Sequence, residues 1–172
     1  IRCHSIASIY VATSGHPGGA LSAAALLAYL YTHEIGYEAP LDANLKRNRF
    51  VLSKGHAFPA LSAALAVKGQ IELTDPLKLR KLGSTMQGHP HVGALPHVET
   101  STGSLGQGFS AALGMALGMR HQGGSGRVYV MLGDGEMQEG QVWEAAQCAA
   151  QYKLDTLTAI LDYNKMQSDD LN

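Results

Sequence analysis

Two continuous apolar runs, Arg127 to Leu132 and Leu157 to Leu161, flank a helical pattern from Glu139 to Tyr152. Strands that read as unbroken hydrophobic runs belong to parallel sheets covered on both faces, and parallel neighbours need a crossover of this length. This unit fixes the fold class as α/β, a parallel sheet with helices on both faces. The remaining segments agree with it. Arg49-Phe50-Val51-Leu52-Ser53 is another short β-capable run, and Lys54-Gly55-His56 follows at its carboxyl end. Ile1 to Tyr10, Ala57 to Lys68 and Leu105 to Arg120 carry helical patterns. Another helix starts near Pro17, a residue suited to a first turn. From Leu21 to Tyr31 it is Ala and Leu on nearly every side, which predicts burial all round. Leu73 to Leu82 reads as a small charged surface helix, with Thr74 or Asp75 as its cap and Pro76 at its start.

The chain has 172 residues, the size of one domain, and shows neither an internal repeat nor a linker, so 1–172 is read as a single unit. The last run is followed by a polar loop without a covering helix, so the unit is expected to be incomplete at its carboxyl end. Thirteen Lys and Arg against fourteen Asp and Glu give a net charge of −1 with no basic stripe, which excludes phosphate-backbone binding to nucleic acid. Leu21 to Tyr31 is the longest apolar stretch and falls short of the roughly 20 residues that span a bilayer. Cys3 and Cys148 form no CxxC motif, which suits reduced thiols in a cytoplasmic protein. Cys148 sits on an apolar helix face as a packing residue.

Ligands of open parallel sheets bind beyond the carboxyl ends of the strands. Gly133-Asp134-Gly135 follows one run and Asp162-Tyr163-Asn164-Lys165-Met166 the other. If these strands are neighbours, Asp134 and Asn164 meet at one edge. A carboxylate, an amide oxygen and one or two backbone carbonyls make a hard oxygen set for Mg²⁺ or Ca²⁺. Gly135 would let its amide approach a phosphate, beside the positive end of the next helix. Taken alone, the same residues also read as an ordinary turn and a loop cap. A dinucleotide fingerprint is absent, because Gln138 stands where the third glycine belongs and Gly140 comes two places too late, and there is no Walker lysine. The stretch from Gly83 to Gly108 holds six Gly, two Pro and three His with no regular period, the mark of a long functional loop. Its His89, His91 and His97 lack the Cys or spaced carboxylate that would complete a zinc shell. His4, His33 and His121 lie outside any such motif and read as surface or satisfied histidines.

Five motifs in order carry a resemblance: Ser14-Gly15-His16-Pro17-Gly18, Lys54-Gly55-His56, Gly88-His89-Pro90-His91, Ser101-Thr102-Gly103-Ser104-Leu105-Gly106-Gln107-Gly108, and Gly133-Asp134-Gly135-Glu136-Met137-Gln138-Glu139-Gly140. With Asn164 standing 30 positions after Asp134, nearly the whole chain resembles the thiamine-diphosphate-binding domain of transketolases. The resemblance implies that Asp134 and Asn164 ligate Mg²⁺ by side chain and Met166 by its carbonyl. It implies that Gly135 touches the diphosphate through its amide, that His56 lies near the diphosphate, and that Gly103 and Leu105 hold the aminopyrimidine through their backbones. His16 and His89 correspond to histidines beside the sugar's reacting oxygens, and Glu139 to a buried carboxylate in a proton network between subunits. Ketol transfer makes and breaks carbon–carbon bonds next to hydroxyls and carbonyls, so imidazoles that move protons are needed there.

The same resemblance implies a transferase of the pentose phosphate pathway kind, acting on sugar phosphates with thiamine diphosphate and Mg²⁺. It also implies a complementary subunit carrying the pyrimidine-binding domain, in a homodimer or heterotetramer. A smooth stripe at Ser110, Gly114 and Gly118, with Trp143, is the expected contact surface. Deoxyxylulose-phosphate synthase, a sister thiamine enzyme, is less similar in the Gly-His-Pro-Gly and Gln-Glu-Gly segments. A non-catalytic cofactor-binding or assembly module is the alternative of another class. Lys54 and Ser104 stand where many family members have Asn and Pro.

Overall fold

A computed structural model of the chain describes residues 1–36, 44–95, 98–167 and 170–171. Its main sheet has three parallel strands, β1 (Arg49–Leu52), β2 (Val128–Gly133) and β3 (Leu157–Asp162), in the order β1-β2-β3. Val130 of β2 stands opposite Val51 on one side and Ala159 on the other. Successive side chains of a strand point to opposite faces, and here each face has its own helical layer. Phe50, Leu52, Tyr129 and Met131 pack in one core with α1 (Arg2–Ala12), α2 (Pro17–Tyr29) and α3 (Phe58–Val67). Val51, Val128, Val130 and Leu132 pack in the other with α4 (Gln107–His121) and α5 (Gly140–Gln151). The crossover from β2 through α5 to β3 is the unit expected from the sequence.

The structure corrects the sequence reading in several places. Burial all round belongs to α3, where every residue from Phe58 to Ala66 is buried against α1 and α2. On α2 only Ala20, Ala23, Ala24 and Leu27 are buried, while Tyr29 is 57% exposed. Both helices have the same small apolar composition, and only the layer they occupy separates them. The expected helix over Leu73 to Leu82 shrinks to one tight turn, Asp75–Lys78, with Thr74 before it and no side-chain cap. The Asp75 carboxylate holds that turn through the Lys78 ammonium at 2.6 Å and the Glu72 N–H at 3.0 Å. Arg80 then takes a left-handed φ of 57°, and its N–H reaches the Met86 carbonyl, so the chain turns back. The strand expected to lack a covering helix is β3, where α4 and α5 reach Leu157 and leave Ala159 and Leu161 exposed. Beyond β3, Met166–Gln167 (β4) and Asp170–Leu171 (β5) form a short antiparallel ribbon in place of the expected loop. Among the described residues no helix is long and apolar enough to cross a membrane.

The described part of the long loop is strapped along β1. Glu99 lies between Arg47 at 2.5 Å and Arg49 at 3.2 Å, near the amino end of the strand. The Thr102 hydroxyl donates to the Leu52 carbonyl at 2.7 Å, at its carboxyl end. These two ties set residues 103–106 above the end of the sheet. His97 lies outside the described residues.

Candidate functional site

Gly133 pairs with Asp162, so the segments that follow β2 and β3 leave the sheet side by side. The Asp134 carboxylate, 8% exposed, accepts the Gly135 N–H at 3.1 Å and the Lys165 N–H at 2.5 Å. The second bond ties Asp134 to the residue after Asn164. Asn164 accepts the Met166 N–H on Oδ1 at 2.9 Å and donates from Nδ2 to the Ser22 hydroxyl at 3.3 Å. Among the described residues no cationic side chain pairs with Asp134. A nearly buried carboxylate met only by backbone amides and tied to the Asn164 segment has the donor chemistry of a hard divalent cation site. The three residues named from the sequence for this role are therefore neighbours along one edge. No three His, Cys, Asp or Glu side chains gather as a metal cluster among the described residues.

The histidine motifs converge on the same end of the sheet. The His16 and His56 rings meet edge to face with centroids 5.4 Å apart. A Cβ on Gly19, in the first turn of α2, would lie 3.0 Å from the His56 ring, so glycine there makes room for the imidazole. Gly103, at φ 143°, presents its bare Cα to His89, whose Cδ2 a Cβ would meet at 3.0 Å. A Cβ on Gly55 would meet the Gly103 N at 2.8 Å, so the Lys54-Gly55-His56 turn rests directly on the glycine-rich loop. Burial lowers the His56 pKa from the usual 6.5 to about 4, helped by Lys54, His16 and His89 and opposed by Asp162. His89 is lowered as well, first by burial and then by the positive charge of Arg80 and by His16. Two of the three imidazoles are thus held neutral. His91 stands apart and exposed, near the Ser101 hydroxyl.

Beneath the histidines lies a pair that sequence reasoning did not assign. The Lys54 ammonium, 2.6 Å from Asp162 Oδ2, is almost wholly buried, and the Ser22 hydroxyl donates to the same oxygen at 2.7 Å. Ser22 therefore bridges Asp162 and Asn164, joining α2 to the segment after β3. The available signal was a lysine in a glycine-flanked turn directly after a buried strand, where an exposed charge is not expected. Glu139 is exposed within this chain, at the start of α5. The segment Gly135–Gln138 forms a tight turn that points Glu136 inward and carries Glu139 out to the surface. The same short 3-10 turn places the amino end of α5 at Gly140, so no α-helix begins beside the Gly135 amide, and that amide bonds the Asp134 carboxylate. Gly103 and Leu105 are half-buried at the mouth, and the Leu105 carbonyl accepts from the Gln141 side chain at 2.9 Å.

Comparisons with known proteins give the family of the chain. Residues 1–170 match the family described as transketolase, thiamine diphosphate binding domain. Human transketolase is 46% identical over 99% of this chain, which spans 27% of that protein. The 6-deoxy-6-sulfo-D-fructose transketolase subunit SqwG of a Clostridium species is 46% identical over 90% of the chain and 56% of its own length. The structure of transketolase from Campylobacter jejuni superposes with a TM-score of 0.88 at 34% identity, covering 96% of this chain and 27% of that one. Family model, relatives and solved structures all place the chain in the same group: it belongs to the thiamine-diphosphate-binding domain family of transketolases.

Proposed function

We propose that this chain supplies the metal- and diphosphate-holding part of a transketolase-type enzyme, which moves a two-carbon ketol unit between sugar phosphates in the manner of the pentose phosphate pathway. The observation that carries this reading is the junction of Asp134 with the Asn164 segment, which Ser22 and the Lys54–Asp162 pair connect to the neighbourhood of the neutral His56. Asp134, Asn164 and the Met166 carbonyl would hold Mg²⁺, with Ca²⁺ a possible substitute because its ligand chemistry is the same. The Gly135 amide and His56 would face the diphosphate, and the Gly103 and Leu105 backbones the aminopyrimidine. Thiamine diphosphate, when bound, supplies the electron sink for carbon–carbon cleavage. His16 and His89 approach from two separate loops, and their role is to take and return protons at the sugar hydroxyls. His89, whose pKa burial lowers, can accept such a proton without first losing one.

A complementary subunit with the pyrimidine-binding half completes the site and supplies the acid that activates the pyrimidine. The length of the Clostridium subunit supports a divided enzyme of this kind. The contact face runs over Gly114 and Gly118 of α4, where an added Cβ would meet nothing within 4 Å, and over the exposed Trp143. Glu139, exposed at the start of α5 and four residues before Trp143, is proposed as a residue shared between subunits. Assembly is as a homodimer or heterotetramer, and two free cysteines suit the cytoplasm. The test is steady-state ketol transfer from xylulose 5-phosphate to ribose 5-phosphate, with the full-length protein alone and with its complementary half. Turnover that needs both supports the reading. Cofactor binding without turnover in either case would favour a non-catalytic module.

A further inference from the structure

The most constrained carboxylate near the site is one that the proposed function leaves unused. Glu136 is 2% exposed, and its side chain collects donors from three separate segments. Oε1 accepts the Ser53 hydroxyl at 2.5 Å, from the residue after β1, and the Gly106 N–H at 2.7 Å, from the glycine-rich loop. Oε2 accepts the Gly133 N–H at 3.1 Å, at the end of β2. Three donors and no acceptor suit a carboxylate, since protonation or amidation turns one of its acceptors into a donor. Gly106 is itself held in a left-handed turn at φ 83°, with the Gln141 side chain against its Cα and bonded to the neighbouring Leu105 carbonyl. The metal edge, by contrast, has ties of its own: Asp134 is held by the Lys165 and Gly135 amides, and Gly133 by its place in β2.

We propose that Glu136 is a positioning residue, whose buried carboxylate fixes the Gly103–Gly106 loop relative to the ends of β1 and β2. It thereby sets the distance between the backbone groups facing the aminopyrimidine and the Asp134 edge facing the diphosphate. This rests on the thiamine diphosphate reading above. The role is geometric: Glu136 touches no reacting atom and holds the two ends of one long ligand's site in register. An aspartate is one methylene too short to reach all three donors. A glutamine can serve either the Ser53 and Gly106 pair or Gly133, but not both, because its amide nitrogen would face an N–H.

The experiment compares Glu136→Met and Glu136→Gln with wild type in the full-length protein assembled with its partner. Calorimetry measures the affinity for Mg²⁺-thiamine diphosphate and for Mg²⁺-pyrophosphate, which engages the metal edge alone, and hydrogen exchange follows the Gly106 amide. Glu136→Met is expected to weaken thiamine diphosphate binding by about tenfold or more, since the buried donors lose a charged partner. Pyrophosphate affinity stays within about twofold, and Gly106 exchanges at least about tenfold faster while the α3 amides do not change. Glu136→Gln falls between, and Ser53→Ala shifts exchange in the same direction by less. Equal losses for the two ligands would overturn the positioning role in favour of general destabilisation, as would unchanged exchange at Gly106. Wild-type protein that binds neither ligand would instead overturn the cofactor reading, and the role with it.

Discussion

The ammonium of Lys54 lies 2.6 Å from a carboxylate oxygen of Asp162, with the two side chains 1% and 8% exposed. One residue follows β1 and the other ends β3, so the pair spans the central strand directly below His56. Breaking such a pair leaves an unpartnered buried charge, which costs far more than the pair contributes when intact. Lys54→Met is therefore expected to destabilise the fold by about 3–5 kcal/mol. Pairing it with Asp162→Asn should recover much of the loss, because the orphaned charge is gone. Denaturant unfolding of the two variants checks this, and equal losses would show that the lysine stem matters more than its charge.

His56 gives a pH signature. Its folded pKa of about 4 lies below the usual 6.5, so between these values the unfolded chain binds a proton that the native site refuses. Its contribution to stability is complete above about pH 6.5 and is lost as the pH falls toward about 4. His56→Gln should flatten the stability profile in that window. Removing Lys54 takes away a charge that holds the value down, so Lys54→Met should raise it. Titration of the imidazole resonances by NMR reads both effects.

The fold was legible because hydrophobic continuity is a local property. The runs 127–132 and 157–161 with their crossover helix could be read directly, and the structure moves their ends by a residue or so. Exposure was less legible, because Ala-rich α2 and Ala-rich α3 look alike until their layers are known. The site divides in the same way. The positions of Asp134 and Asn164 at one edge follow from two adjacent parallel strands. The Lys54–Asp162 pair and the Glu136 anchor join residues 108 and up to 83 positions apart, and no local pattern announces them. Glu136 and Glu139 differ only by the tight turn between them, which points one inward and leaves the other outside.

The open stripe on α4 separates folding from assembly. A side chain at Gly114 meets nothing in this chain within 4 Å, so Gly114→Arg should leave the melting temperature of the isolated chain unchanged or slightly raised, as expected when a helical glycine is replaced. The same change should weaken association with a second subunit by at least about tenfold, because a charge would then be desolvated at the contact. Sedimentation velocity across a concentration series decides it. Unaltered association would move the interface elsewhere.

The proposed cation site at the end of the sheet is open to the most direct test. Calorimetric titration of Mg²⁺ and thiamine diphosphate into the assembled protein should show tight, metal-dependent binding for wild type. Asp134→Ala should weaken it by at least about 100-fold, a loss of about 2.7 kcal/mol, with the fold retained because the carboxylate lies beyond the strand end. Asn164→Ala should show a smaller loss of the same kind. Binding by Asp134→Ala that keeps wild-type affinity and metal dependence would contradict the assignment.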